Sequence, residues 1–493
     1  MRIAGFIATL LLICGGTARA ADQSTDASVR DCNATIENSR AAARSKNFSD
    51  QAPSIRWQIF ADLVNCALEL QRWEEALNGI NALLEIEPDN TGVLALKMIV
   101  TTIEPRDLPG GVASLERIAE TAPEDVSNIE LEQLLNMFRR LKEHGDPDLR
   151  FRFYKAVFSS DYAPPNAVDT ADGLRIGYIR DLLEKRSKSY AVEQIRKIAD
   201  PLIVAEFLFD KRYDDLARFP AMPKSSDLAR LVEDEITLSK RLLAEHPDEM
   251  KAHIRYAQAL RTNGRFDDAL MQTTKTVALL YADDAEERFS DYGDQARWVY
   301  NEHAYALYDV GRNAEAREAL EAGARLNEFG GANASQTINL ATMLFREGLF
   351  AEAEKTIGGL ERKDASPFGW MWAAAVKICV RSLNGAKPHP VDLEFARANQ
   401  AENDSAYAEI LLCLGDEDAA AAHFIARLGD PERRAAALRS VQKTLEANYN
   451  LPIGEKLERR QAAVAARPDV AAEINKVGRI IDLPFFPIYW GDY

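Results

Sequence analysis

The chain has 493 residues, of which 47% are hydrophobic and 28% are charged, and this composition excludes collagen-like, disordered and polytopic membrane proteins. Its length is ample for several ordinary domains or for one extended array of small units. The 77 acidic residues outnumber the 60 basic ones, and the net charge of -17 repels nucleic-acid phosphates, so we expect no nucleic-acid partner.

The first 20 residues, MRIAGFIATLLLICGGTARA, have the pattern of a secretory signal peptide. Arg2 supplies the positive start, residues 3–13 form an apolar run, and residues 18–20 provide an A-x-A cleavage site. The run is about half of the roughly 20 residues that span a bilayer. We therefore expect cleavage before Ala21, export to a bacterial periplasm or alternatively secretion, and no transmembrane segment in the mature chain.

Residues 57–90 contain two successive amphipathic helical patterns. The apolar residues of the first pattern recur at helical spacing: Phe60, Leu63, Val64 and Ala67. The second pattern opens at Trp73 and stops before Pro88. This segment resembles the tetratricopeptide repeat, a family whose units are helix-turn-helix pairs of 34 residues.

The same spacing recurs further along the chain, in the segments 250–281, 297–328, 334–366, one that opens at Trp370, and 401–431. Residues 92–249 keep a helical period but lose the pattern, and we interpret them as degenerate helix pairs. The resemblance implies an all-α, tetratricopeptide-like solenoid that winds as a right-handed superhelix. Each unit of such a solenoid buries its apolar face only against its neighbours.

The sequence thereby predicts six regions. They are a signal peptide (1–20), an N-terminal capping helix (21–56), TPR-like and degenerate repeats (57–220), a regular TPR array (221–434), C-terminal capping helices (435–481) and an aromatic tail (482–493). A proline-containing stretch near residues 220–226 marks the predicted boundary between the two groups of repeats.

The resemblance also implies a binding groove, because the first helix of each repeat lines the concave wall in the family. The second, fifth, ninth and twelfth residues of a unit point inward there. Transferred to this sequence, the rule selects an uncharged and largely aromatic set: Trp298, Asn301, Tyr305, Tyr308, Ile338, Phe345, Phe368 and Met371. Aromatic anchors of this kind dominate binding energies, although the same residues could instead pack against one another or against the chain's own tail.

The last dozen residues, DLPFFPIYWGDY, form an aromatic segment that two prolines keep from being a regular helix. Its candidate docking residues are Phe485, Phe486, Tyr489 and Trp490. An apolar segment of this kind must be covered. It either folds back on the last helices or the groove, or it docks on an envelope partner.

Export to an oxidising compartment favours disulfides among the four cysteines that remain after cleavage. Cys32 lies in a helix outside the regular array, which makes it the better partner for Cys66. Cys379 and Cys413 lie one repeat apart and should point in similar directions, which favours two buried free thiols, although the sequence leaves a bridge between them open.

The sequence carries no recognisable catalytic or metal-binding motif: it contains no H-E-x-x-H, no G-x-S-x-G and no phosphate-binding loop. We therefore expect no cofactor, no metal and no enzymatic activity. The interpretation is an exported scaffold or adaptor that binds a protein or peptide partner in its groove, in cell-envelope assembly or in support of an envelope complex. The alternative is a hydrolase, or a regulatory subunit of an envelope enzyme, whose residues converge from several repeats.

Overall fold

The structure, a computed structural model, describes residues 31–103, 107–328, 331–448 and 451–488. The predicted signal peptide, the first ten residues of the predicted capping region, and Tyr489 and Trp490 of the tail lie outside the described residues. The chain forms two compact units that divide between Ala191 and Val192.

The described residues are helical, as the all-α prediction requires, and β-pairing among them is limited to isolated bridges. The helices up to the division between the units are α1 (Cys32–Ala43), α2 (Pro53–Glu69), α3 (Trp73–Ile86), α4 (Thr91–Ile103), α5 (Leu108–Thr121), α6 (Leu131–His144), α7 (Pro147–Ser159), α8 (Asp172–Glu184) and α9 (Lys188–Ile195), the last of which spans the division. The second unit continues with α10 (Pro201–Phe209), α11 (Ser225–Glu245), α12 (Met250–Thr262), α13 (Phe266–Leu280), α14 (Ala285–Arg288), α15 (Tyr292–Asp309), α16 (Asn313–Arg325), α17 (Ala334–Glu347), α18 (Phe350–Gly358), α19 (Pro367–Leu383), α20 (Pro390–Ala398), α21 (Asp404–Leu414), α22 (Glu417–Gly429), α23 (Arg434–Arg439), α24 (Pro452–Ala466) and α25 (Pro468–Val477).

Within each unit, helices that are consecutive in the chain pack against one another, which confirms the predicted helix-turn-helix architecture. The pair α2–α3 shows why small residues are needed where two helices cross. A Cβ atom on Gly79 would lie 2.6 Å from Cγ2 of Val64, so only glycine allows this approach. Ala67 and Ala76 are fully buried in the same contact.

The turns inside the regular pairs share one backbone feature, a glycine with a positive φ angle. Gly264, Gly311, Gly348 and Gly415 each follow the first helix of a pair and adopt a positive φ between 70° and 86°. Residues with a Cβ rarely adopt this left-handed conformation, so glycine ends the first helix without strain. The glycines that the repeat pattern singles out therefore set the turns.

The first unit has an aromatic core between α6, α7 and α8. The ring of Tyr178 lies 5.6 Å from Phe158 and 5.9 Å from Tyr154, measured between ring centroids. Gly177 makes room for this cluster, because a Cβ atom there would lie 2.2 Å from the Tyr154 hydroxyl. Tyr154 and Tyr178 are among the largest fully buried side chains of the described chain.

In the second unit, the chain after α23 runs along the edge formed by the turns. We call residues 443–448 and 451–466 the C-terminal strap. It meets successive turns in chain order. Leu445 contacts the turn at Gly264, and the N–H of Asn448 donates to the Asp309 carbonyl at 3.0 Å. Ile453 lies next to Gly348, and Arg460 donates to the Leu412 and Cys413 carbonyls. Leu451 and Leu457 of the strap are buried in the same core cluster as α15, α16 and α17.

The tail pairs with the start of the strap in a short parallel contact. Leu483 donates its N–H to the Lys443 carbonyl (2.7 Å), and Leu445 donates to the Phe485 carbonyl (3.1 Å). Beyond this contact, the N–H of Phe486 reaches the Thr262 carbonyl at 2.8 Å, at the end of α12. The tail is thus anchored within the second unit.

Residues 209–214, at the end of α10 and just after it, contact residues 478–479, which follow α25. Arg479 donates to both carboxylate oxygens of Asp214 (2.7 and 2.8 Å) and, through its backbone N–H, to the Phe209 carbonyl (2.9 Å). A Cβ atom on Gly478 would lie 2.9 Å from the same carbonyl. The predicted boundary near residues 220–226 therefore falls inside a unit, because residues 201–216 pack with the end of the chain.

Candidate functional site

The residues predicted to line a groove lie on the first helices α15, α17 and α19, and most of them are not accessible. Asn301, Tyr308, Ile338, Phe345 and Met371 are buried, with exposed fractions of 0% to 5%. They cannot contact a partner, so their assignment to an open groove is corrected: they belong to the core. The physical reason is that α15 packs on α12 and α16, and α17 packs on α19. The strap residues Leu451 and Leu457 also join the core cluster that contains Tyr308, Ile338 and Phe345.

Tyr308 and Phe345 show how these inward positions are filled. The Phe345 ring stacks on Phe350 at a centroid distance of 6.3 Å inside the core cluster that also contains Tyr308. The Tyr308 hydroxyl donates to Oε1 of Glu347 at 2.9 Å. Burial, and then the nearby Glu347 carboxylate, raise the pKa of Tyr308 above its ordinary value. Both side chains are thus satisfied within the chain.

Three of the predicted groove residues remain partly accessible: Trp298, Tyr305 and Phe368 are half-buried. Tyr305 packs at the margin of the main core cluster, and the Arg261 guanidinium lies 5.5 Å from its ring centroid. Burial raises the pKa of Tyr305, and its hydroxyl stays neutral at physiological pH. These aromatic residues offer apolar area on first helices of the second unit.

A buried charged cluster lies beside Tyr305, and the sequence pattern did not indicate it. Arg261, at the end of α12, donates to Oε1 of Glu302 at 2.9 Å and to both carboxylate oxygens of Asp309 on α15. Gln258 donates to the second oxygen of Glu302 at 3.2 Å. Burial raises the pKa values of both carboxyls, and Arg261 opposes that rise.

The spacing of these charged residues in the sequence agrees with the cluster, although the spacing alone does not predict it. Glu302 and Asp309 are seven residues apart, which places them on one face of a helix, and Arg261 ends the first helix of the preceding pair. Charged residues at these positions are usually solvated in helical repeats. Their burial depends on how closely the two first helices pack, and periodicity does not report that distance.

A second ion pair joins first helices further along the unit. Arg346 on α17 donates to Oε2 of Glu409 on α21 at 2.7 Å, and both side chains are partly buried. The Coulombic attraction of Glu409 is the leading reason that the pKa of Arg346 is raised. Arg346 and Glu409 are thus paired within the chain.

The structure joins Cys32 to Cys66 by a disulfide bond, the pairing that the sequence predicts. The Glu69 carboxylate lies 3.2 Å from the Cys32 sulfur, which gives three metal-ligand side chains in one place. Because both sulfurs are bonded to each other, they offer no thiolate to a metal ion in this form.

Cys379 and Cys413 are also joined by a disulfide bond, so the prediction of two free thiols is wrong. They lie on α19 and α21, the first helices of adjacent pairs, with their Cα atoms 5.1 Å apart. Adjacent first helices present facing sides to each other, and residues one repeat apart can meet across that contact. The bridge links α19 to α21, and the Met371 side chain of α19 is buried in the core that these two helices share.

The tail residues Phe485 and Phe486 are buried within the chain, with exposed fractions of 0% and 8%. Phe486 packs edge-on against Phe266 at a centroid distance of 5.4 Å. These two residues therefore pack against other parts of the same chain and are not available to an envelope partner. Tyr489 and Trp490 lie outside the described residues.

Among the described residues, no helix combines the length and the hydrophobicity that crossing a membrane requires. No known protein-family model matches the chain, and no curated protein matches it. One solved structure to which the chain is similar is described as a "circular tandem repeat protein with novel repeat topology and enhanced subunit contact surfaces". The two share 12% of aligned residues over 96% of this chain and 98% of that one, with a TM-score of 0.14, too low to support an argument about fold or function.

Proposed function

We propose that this protein is an exported, non-enzymatic scaffold of the tetratricopeptide-like kind that binds a protein or peptide partner in the cell envelope. The signal-peptide pattern of residues 1–20 supports the export part of the proposal. The consecutive helix pairs support the scaffold part, because such arrays offer extended surfaces rather than enclosed catalytic pockets.

One observation carries the proposed binding role. Trp298, Tyr305 and Phe368, on the first helices α15 and α19, keep part of their aromatic surface accessible while their neighbours are buried. Aromatic rings held by a rigid scaffold lose little conformational freedom when a partner covers them. The partner-binding surface that we propose therefore consists of these three residues, and excludes the five buried ones.

The enzyme alternative rests on the buried cluster of Arg261, Glu302 and Asp309. Raised carboxyl pKa values are typical of general acids and bases. Here, however, Arg261 donates to both carboxylates at once, and Gln258 donates to the other oxygen of Glu302. A carboxylate engaged in this way holds two helices together, and we therefore assign the cluster a structural role.

Co-purification from the native envelope tests the proposal. Trp298→Ala combined with Phe368→Ala should reduce recovery of the main partner at least tenfold, because each ring contributes roughly 1–3 kcal/mol when fully covered. Lys355→Ala, an exposed change on the second helix α18, serves as the control. Equal recovery with both variants, at unchanged helical content, would contradict the proposed surface.

A further inference from the structure

Helix α13, the second helix of its pair, and the residue directly after it expose two large apolar side chains to solvent. Met271 is 52% exposed and Tyr281, directly after the helix, is 73% exposed, and both are unusual for large apolar side chains in this chain. Thr274 and Ala278 lie between them and are also exposed. Successive members are three or four residues apart, so the four form one stripe about 15 Å long. We call this stripe the outer face.

The backbone that carries Tyr281 is held by packed neighbours on both sides. Leu280, directly before it, is buried in the core. The residues that follow are anchored as well, because Ala285 and Phe289 are buried and the Asp291 carboxylate accepts hydrogen bonds from the N–H groups of Met250 (2.8 Å) and Lys251 (3.0 Å). An exposed ring on such a rigid support is suited to binding.

The segment next to Tyr281 carries a concentrated negative charge. It contains four exposed carboxylates: Asp283, Asp284, Glu286 and Glu287. Within the part of the chain that the structure describes, none of the four forms an ion pair. Arg288 is the one cation in residues 281–294, and Lys275 lies on the exposed side of α13.

We propose that the outer face and these four carboxylates form a docking surface for a basic amphipathic segment of a partner protein. The apolar side chains of that segment would cover Met271 and Tyr281, and its Lys or Arg residues would face the carboxylates. Charge complementarity selects this occupant. The same carboxylates repel anionic lipid and nucleic acid, which carry charge of the same sign.

This surface is separate from the one proposed above. Trp298, Tyr305 and Phe368 belong to first helices, whereas the outer face belongs to a second helix. The two proposals therefore use different variants, and either one can fail alone.

Peptide binding to the full-length, oxidised protein tests the inference. The probe is a fluorescent 14-residue amphipathic peptide of Leu and Lys, and its counterpart has Glu in place of Lys. We expect the Lys peptide to bind in a salt-sensitive manner and the Glu peptide to show no binding. Tyr281→Ala combined with Met271→Ala should weaken binding of the Lys peptide at least tenfold.

A charge-matched control separates a defined surface from general attraction to an acidic protein. One variant converts Asp283, Asp284, Glu286 and Glu287 to their amides, and the control converts Glu318, Glu352, Glu394 and Glu402, which are exposed elsewhere on the second unit. We expect at least a tenfold loss in the first variant and less than a twofold loss in the control. Equal losses in both, or no loss with Tyr281→Ala and Met271→Ala, would overturn the proposal. Concentration-dependent dimers that Tyr281→Ala abolishes would also overturn it, by assigning the face to a second copy of this chain.

Discussion

Replacement of Phe345 by alanine tests directly whether the predicted groove is core. The ring is fully buried in the cluster that α15, α16 and α17 share with the strap, and it stacks on Phe350. Truncation of a buried phenylalanine to alanine removes about 3–5 kcal/mol of stability, because it loses the transfer free energy and leaves a cavity. We expect a loss of that size from the free energy of unfolding of the second unit.

Urea denaturation of the oxidised chain, followed by circular dichroism, measures this loss. Tyr281→Ala is the matched control, since it also truncates an aromatic ring but at a site that is 73% exposed. We expect the control to change the free energy of unfolding by less than about 1 kcal/mol. If Phe345→Ala were as mild as the control, the ring would not be core, and the buried assignment of the groove residues would be refuted.

Three other predictions concern the cysteines, the first unit and pH. In denaturant and without prior reduction, Cys379 and Cys413 should both resist alkylation, as mass spectrometry can show; modification of either would refute the bridge. Gly177→Ala should destabilise the chain by about 1–3 kcal/mol in urea, because its Cβ would lie 2.2 Å from the Tyr154 hydroxyl, and an unchanged midpoint would contradict this packing. Burial lowers the pKa of His423 to about 4. As the pH falls, the unfolded chain therefore takes up this proton at a higher pH than the folded chain does. The free energy of unfolding should fall between about pH 6.5 and 4, and His423→Gln should reduce that fall.

Local features of the fold could be predicted from the sequence because their causes are local. The apolar period of residues 57–90 indicates two helices, and the structure forms α2 and α3 there. Gly264 and Gly348 mark turns since a left-handed residue is needed at each. Cys32 and Cys66 could be paired because one of them lies outside the regular array.

The features that sequence analysis missed depend on contacts between distant segments. The extended part of the strap, residues 443–448, has no helical period, and its hydrogen bonds go to the tail and to Asp309. The rule that places the second, fifth, ninth and twelfth residues of each repeat on an open wall assumes that nothing covers the wall. In this chain, Phe345 is buried in a core cluster that includes the strap residues Leu451 and Leu457.

The buried cluster around Arg261 was missed for a related reason. Whether Glu302 is solvated or buried depends on the separation of α12 and α15, which the side chains of both helices determine together. When each helix is considered alone, its pattern of apolar and polar residues places such carboxylates on the polar, solvent-exposed face. Only the packed structure brings Arg261 to both acids.

Site-specific photo-crosslinking in the native envelope tests the central claim, partner binding at the accessible aromatic residues, most directly. A photoreactive phenylalanine analogue would replace Trp298 or Phe368, with Lys355 as the control position on α18. We predict one dominant adduct of the same mass from both aromatic positions and none from position 355. Absence of that adduct at positions 298 and 368, or equal adducts at all three positions, would contradict it.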